Sequence, residues 1–219
     1  MGPPHGGPHG PPPMGPPQGG PHPGPHEPGH FADVASFAAR FDSPERAAWQ
    51  RPVEVMRLLD AAPGSTVADL GAGTGYFVPF LSLAVGAKGK VLALDAEPHM
   101  VAHLERRVAL EGLANVETRM VQVSSAGLAA SSVDRVLVVN TWHHLTDRAA
   151  YAKGLFAALK AGGSVLVVDY LLDSPEGPPL HMRLSADAVK KELEGAGFGA
   201  DVVAESLPRQ YAVRGTRSK

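Results

Sequence analysis

Apolar residues along this chain gather in short blocks, set apart by glycine turns and amphipathic stretches, the alternation expected of repeated βα units. Residues 66–70 form an apolar run with β-branched members, long enough for a buried strand, and Gly71, Gly73 and Gly75 then predict a tight turn into a helix through Leu83. Residues 90–95 predict a second buried strand, after which Pro98 opens an amphipathic helix carrying Met100, Val101, Leu104 and Val108. A third, more polar strand is expected over 115–121, a loop or short helix over 124–132, and a fourth strand over 133–140. The spacing of Ala150, Tyr151, Leu155, Phe156 and Leu159 predicts a helix over 147–159, ended by the Gly162-Gly163 pair that feeds a fifth strand. Residues 171–184 are a long connection containing Pro and Gly. Ser185 caps a last helix through Leu193, and strands near 200–205 and 210–214 make a closing hairpin.

The start of the chain has a different character. Residues 1–30 are almost wholly Pro, Gly and His, a composition that buries too little apolar surface to offset the entropy of ordering, so a disordered tail is expected there and a folded domain over 31–219. His5, His9, His22, His26 and His30 give that tail a capacity to collect Ni²⁺, Cu²⁺ or Zn²⁺, the alternative being a low-complexity linker. Within 31–60, Ser43-Pro44-Glu45 and Pro52 each start a short helix, so two helices are expected before the first strand.

Composition narrows the class of protein. With 219 residues, 44% hydrophobic and 19% charged, the chain can bury one core. A formal net charge of -2 without any long Lys/Arg run argues against nucleic acid as a partner, because such affinity comes from neutralised phosphates. There is no cysteine, so disulfides, zinc-thiolate sites and cysteine nucleophiles are excluded. The longest apolar runs are strand-length and no signal peptide is visible; a cytoplasmic location without membrane insertion is expected.

The candidate chemistry begins at the glycine turn. Backbone without Cβ atoms admits a ligand closely, and the free N–H groups of a helix start face it. A dinucleotide fingerprint places its third glycine three residues after the second; here that position is Tyr76 and the glycine comes one residue early, at Gly75. Asp95, about twenty residues past the turn at a strand end, is placed to accept ribose hydroxyls, or else to cap the next helix.

The pattern Asp69-x-Gly71-x-Gly73-x-Gly75, together with Asp95, the cluster from Asn140 to Leu145 and the Leu159-Lys160-Ala161-Gly162-Gly163 segment, resembles the class I S-adenosylmethionine-dependent methyltransferases over roughly residues 40–215. Ala161 stands where that family usually has proline, and Gln122 where it often has an acidic residue near the adenine. The resemblance implies a three-layer, doubly wound, Rossmann-like α/β fold: a seven-stranded, mainly parallel sheet with its last strand antiparallel and helices on both faces. It implies S-adenosylmethionine as cofactor, held by Asp69, Gly71, Ala72, Gly73, Gly75, Asp95, Gln122 and Asn140. His143, His144 and Tyr211 are the candidate catalytic groups, with one of the two histidines reaching the site; no metal ligand set is expected. Trp49, Gln50 and Arg51 either form part of a lid or pack at the core edge, and Tyr211 either lines the pocket or is a plain strand residue. The implied activity is methyl transfer to a small-molecule acceptor. A non-catalytic metal-binding or scaffold protein on the same fold is the alternative, and an NAD(P)-dependent oxidoreductase, opposed by Tyr76, the remoter one.

Overall fold

The computed structural model describes residues 34–218; the tail expected to be disordered, with its five candidate metal-binding histidines, lies outside the described residues. Seven strands form one sheet: β1 (Thr66–Leu70), β2 (Lys90–Asp95), β3 (Val116–Met120), β4 (Val133–Val139), β5 (Leu159–Tyr170), β6 (Gly199–Val202) and β7 (Gln210–Thr216). Their order is β3-β2-β1-β4-β5-β7-β6. The pairs β1/β2, β1/β4, β2/β3 and β4/β5 are parallel, and β7 enters between β5 and β6 antiparallel to both, which is the sheet expected from the sequence.

The helices are α1 (Val34–Phe41), α2 (Arg46–Gln50), α3 (Pro52–Leu59), α4 (Val78–Val85), α5 (Pro98–Leu110), α6 (Arg148–Ala158) and α7 (Ala186–Gly195). Strand residues alternate between two cores. Leu70, Leu94, Val136, Val138, Val165 and Val167 pack with Leu155 of α6 and Leu193 of α7, whereas Val67, Val91, Leu137, Leu166 and Val168 pack with Leu59 of α3 and Leu81 of α4. Because the central strands are buried on both faces, they read in the sequence as near-continuous apolar runs rather than alternating ones. Among the described residues no helix is long and apolar enough to cross a membrane.

Two local expectations are corrected. Among the described residues three helices, not two, precede β1: Val34, Phe37 and Phe41 share a face of the short α1, which lies near α5. The helix-ending role given to Gly162-Gly163 is also revised, because α6 stops at Ala158 and the pair sits inside β5. Val133 pairs with Leu159 and Arg135 with Ser164, so residues 160–163 form an excursion in β5. Gly162 takes a left-handed φ of 76° there, donating its N–H to Arg217 O, while Arg217 N–H returns a bond to Gly163 O.

This topology brings the carboxyl ends of β1, β2, β4 and β5 together. From β1 the chain winds outward to β2 on one side, while β4 lies on the other, and ligands of doubly wound folds bind in the crevice at that reversal.

Candidate active site

The glycine turn after β1 is held by Gly71 N–H and Ala72 N–H, both donating to Leu94 O at 2.9 and 3.0 Å. Its three glycines do different things. A Cβ on Gly71 would lie 2.3 Å from Thr141 Oγ1, and one on Gly75 would lie 2.8 Å from Leu104 Cδ2, so both let neighbouring elements pack closely. Gly73, with φ 58°, has no atom within 4 Å of that position: it borders open space and leaves room for a ligand. Its N–H donates to Asp95 Oδ2 at 2.8 Å, and Glu97 N–H donates to Oδ1 at 2.9 Å. Burial pushes the Asp95 carboxyl up, with these backbone donors pulling the other way. Asp69, 3% exposed, is pushed up to about 7 by burial and then by the charge of Asp95, while Arg46 opposes the shift. The arrangement fits a ribose at Asp95 and a cationic group near the two carboxylates.

On the other side of the crevice, Asn140 ends β4 in a left-handed conformation, φ 54°, with its N–H on Val168 O. Asn140 Oδ1 accepts from Gln210 Nε2 at 2.7 Å, and Gln210 Oε1 accepts from Gln50 Nε2, also at 2.7 Å. Gln50 Oε1 in turn accepts from Arg46 Nη2 and Nε at 3.1 and 3.3 Å. A single 3₁₀ turn, Trp142–His144, follows Asn140. Trp142 is fully buried and donates to Glu192 Oε2 at 2.8 Å, and Arg148 Nε reaches Glu192 Oε1 at 2.8 Å, which ties the turn to α6 and α7.

The two histidines of that turn separate. His143 is 8% exposed, with Nδ1 at 2.9 and 3.0 Å from the carboxylate oxygens of Asp169, whereas His144 is exposed and its ring lies 4.1 Å from that of His143 between centroids, tilted by 44°. Asp169, near the end of β5, also accepts Tyr170 N–H at 2.8 Å. Tyr211 lies on β7 in register with Asp169, buried, its hydroxyl without a hydrogen-bond partner among the described residues. Burial first, then the charges of Asp169 and Glu192, raises its pKa. Gln122 is exposed, and its carbonyl accepts Ser125 N–H at 3.0 Å.

Of the lid segment, Gln50 is buried, Arg51 is exposed with a left-handed φ of 44° before Pro52, and Trp49 packs against Tyr170 with 6.0 Å between centroids. Sequence reasoning passed over Asp169, Arg46 and Gln210. Asp169 carried a usable signal, a carboxylate at a strand's carboxyl end as at Asp95; the Gln50–Gln210 pair, 160 residues apart, carried none. A groove of about 820 Å³ opens at the opposite, amino-terminal ends of β2 and β3. Lys90 and Glu117 in its lining pair with each other at 2.6 Å.

Comparison with known proteins bears on this crevice. A methyltransferase-domain family matches residues 67–163. A solved structure of a SAM-dependent methyltransferase from Aquifex aeolicus superposes with a TM-score of 0.78 at 29% identity, covering 83% of this chain and 97% of that one. An arsenite methyltransferase of Halobacterium salinarum is 27% identical over 154 residues, 65% of this chain and 39% of its own length. A tRNA (adenine(58)-N(1))-methyltransferase of Thermus thermophilus is 37% identical over 101 residues, 45% of this chain and 39% of its own length. The chain thus spans about two fifths of the length of these curated relatives.

Proposed function

Because the chain belongs to the class I S-adenosylmethionine-dependent methyltransferase superfamily, we propose that it transfers a methyl group to a small-molecule acceptor, deprotonated by His143. The observation that carries this reading is the buried His143–Asp169 pair beside the glycine crevice, at 2.9 Å. When bound, S-adenosylmethionine supplies an electrophilic methyl on a sulfonium, which needs alignment with a nucleophile more than activation.

This chain's residues supply the rest. Asp95 would accept hydrogen bonds from the ribose hydroxyls, Gly71, Ala72, Gly73 and Gly75 would form the turn that holds the cofactor, and Asp69 would face its cationic end. Gln122 and Asn140 would border its adenine and methionine ends. Asp169 accepts the Nδ1–H of His143, fixing the tautomer whose Nε2 is free to take a proton from the acceptor heteroatom. The imidazolium so formed is stabilised by the same carboxylate. His144, exposed and tilted against His143, braces its ring, and Tyr211 lies beside Asp169 as its cross-strand neighbour. A small acceptor is favoured because His143 is only 8% exposed: a group carried on a polymer would have to be extruded into the crevice to reach it.

The test incubates the protein with methyl-labelled S-adenosylmethionine and, in parallel, a panel of thiols, phenols, amines and arsenite, and tRNA. Label is expected in a low-molecular-weight product, with His143→Ala lowering kcat by about 10²–10⁴-fold, the usual worth of a general base. Asp169→Asn should lower kcat as well, since the base loses its orienting carboxylate. Label confined to RNA would overturn the small-molecule reading.

A further inference from the structure

We infer that Arg46 is a binding residue for the α-carboxylate of the cofactor's methionine moiety, carried to the crevice by α2 and held there by the buried amide chain from Gln50 to Asn140; this rests on the cofactor reading above. The first observation is where the guanidinium lies. Its Cζ sits 4.0 Å from the ring centroid of Tyr76, the residue immediately after the last glycine of the turn, with Trp49 and Phe77 each at 5.9 Å. Aromatic faces on several sides hold the plane of the group against the cradle.

The second observation is a count of donors. A guanidinium has five N–H bonds. Nη1 gives one to Phe41 O at 2.8 Å, and Nε and Nη2 each give one to Gln50 Oε1. One N–H on Nη1 and one on Nη2 are then left over among the described residues, the two-pronged pattern that matches a carboxylate.

The third is charge. Burial lowers the pKa of Arg46, with the charges of Asp42 and Asp69 pulling against that shift. Yet among the described residues no carboxylate lies within ion-pair distance of it. Asp42 is taken instead by Arg107 at 3.2 Å and by the hydroxyl of Thr74 at 2.9 Å, and Asp69 is itself driven toward the neutral form. A partly desolvated cation without a paired anion is costly unless something completes it. Arg46 therefore presents an uncompensated positive charge on one side of the crevice, the complement of the carboxylate of an α-amino acid group.

The amide chain explains why the arginine stays. Arg46 can only donate, so Gln50 must turn its oxygen to it and its nitrogen to Gln210, and Gln210 must do the same toward Asn140. Both glutamines are fully buried, so neither has water as a substitute partner. The chain runs in one direction from the cofactor end of the crevice to the strand end that precedes the His143 turn.

Calorimetry on the full chain tests this by comparing wild type and variant on each of two ligands, S-adenosylhomocysteine, which carries the carboxylate, and decarboxylated S-adenosylmethionine, which lacks it and bears a methylsulfonium instead. Arg46→Met is expected to weaken S-adenosylhomocysteine by about 10–100-fold, the usual worth of hydrogen bonds to a charged group, while decarboxylated S-adenosylmethionine stays within about twofold. Gln210→Leu, which keeps Arg46 but breaks its support, should give a smaller loss confined to the same ligand. Circular dichroism and melting temperature confirm that each variant folds. Unchanged S-adenosylhomocysteine affinity in Arg46→Met, or an equal loss for both ligands, overturns the carboxylate subsite. Wild-type protein that binds neither ligand overturns the cofactor reading on which it stands.

Discussion

Gly71 and Gly73 lie two residues apart on one turn, both at positive φ, yet their surroundings differ. At Gly71 a methyl group would be driven into the Thr141 side chain at 2.3 Å, so Gly71→Ala should cost about 2–4 kcal/mol in unfolding free energy, overpacking added to backbone strain. At Gly73 nothing lies within 4 Å, so Gly73→Ala should cost only about 1 kcal/mol while cutting cofactor affinity, because the methyl enters the cradle rather than the core. Urea denaturation and calorimetry on the two variants separate these effects, and equal stability losses would show that Gly73 is a packing residue. Asp69 makes a pH-dependent case. Its folded-state pKa is raised to about 7 from an ordinary value of 3.8, so folding favours the protonated carboxyl. The stability it contributes is full below about pH 4 and is lost as the pH rises through 7. Asp69→Asn should therefore melt higher than wild type at pH 8 and nearly level with it near pH 4, in the absence of cofactor. A gap of the same size at both pH values would mean that titration of Asp69 plays no part.

The elements around the crevice differ in what anchors them. The connection after β5 contains few apolar residues that are buried, and is knotted by one side chain: Arg183 donates to the carbonyls of Leu171, Leu172, Ser174, Glu176 and Pro178. Arg183→Ala should raise amide hydrogen exchange across residues 171–182 and raise the acceptor KM several-fold, with cofactor affinity unchanged. A matched loss of cofactor affinity would place the loop on the other side of the crevice. The contrast with the strands also explains what could be read in advance. β1, β2, β4 and β5 announce themselves as apolar runs because both their faces are buried, and the Asp95 position follows from the glycine turn before it. Local sequence carries that information. It does not carry the excursion at Gly162-Gly163, which depends on Arg217 pairing from the far end of the chain, nor the Gln50–Gln210–Asn140 chain, whose members come from α2, β7 and the end of β4. The same limit explains the two histidines: adjacent in sequence, they are sorted only by Asp169 on a different strand.

Across the whole molecule, the sheet order decides which charges share the crevice. Asp69 near the end of β1 and Asp95 at the end of β2 stand on adjacent parallel strands, with Arg46 of α2 near Asp69. Tyr76, packed beneath the Arg46 guanidinium at 4.0 Å, fills the position where a dinucleotide site keeps its third glycine. The same charges suit a ligand with a sulfonium, an ammonium and a single carboxylate. The discriminating measurement is a thermal melt with S-adenosylmethionine and with NADH. A ligand present at about 100 times its Kd stabilises the folded state by about 2.7 kcal/mol, and at this chain length each kcal/mol moves Tm by about 2–4 °C. S-adenosylmethionine should thus raise Tm by about 5–11 °C, whereas NADH at the same concentration should leave it in place. The protection from hydrogen exchange should fall on residues 71–76, 95–97 and 140–143, at the carboxyl ends of β1, β2 and β4, and leave β6 at the sheet edge unaltered. A comparable shift with NADH, or protection centred on β6, would contradict the charge pattern from which the cofactor is argued.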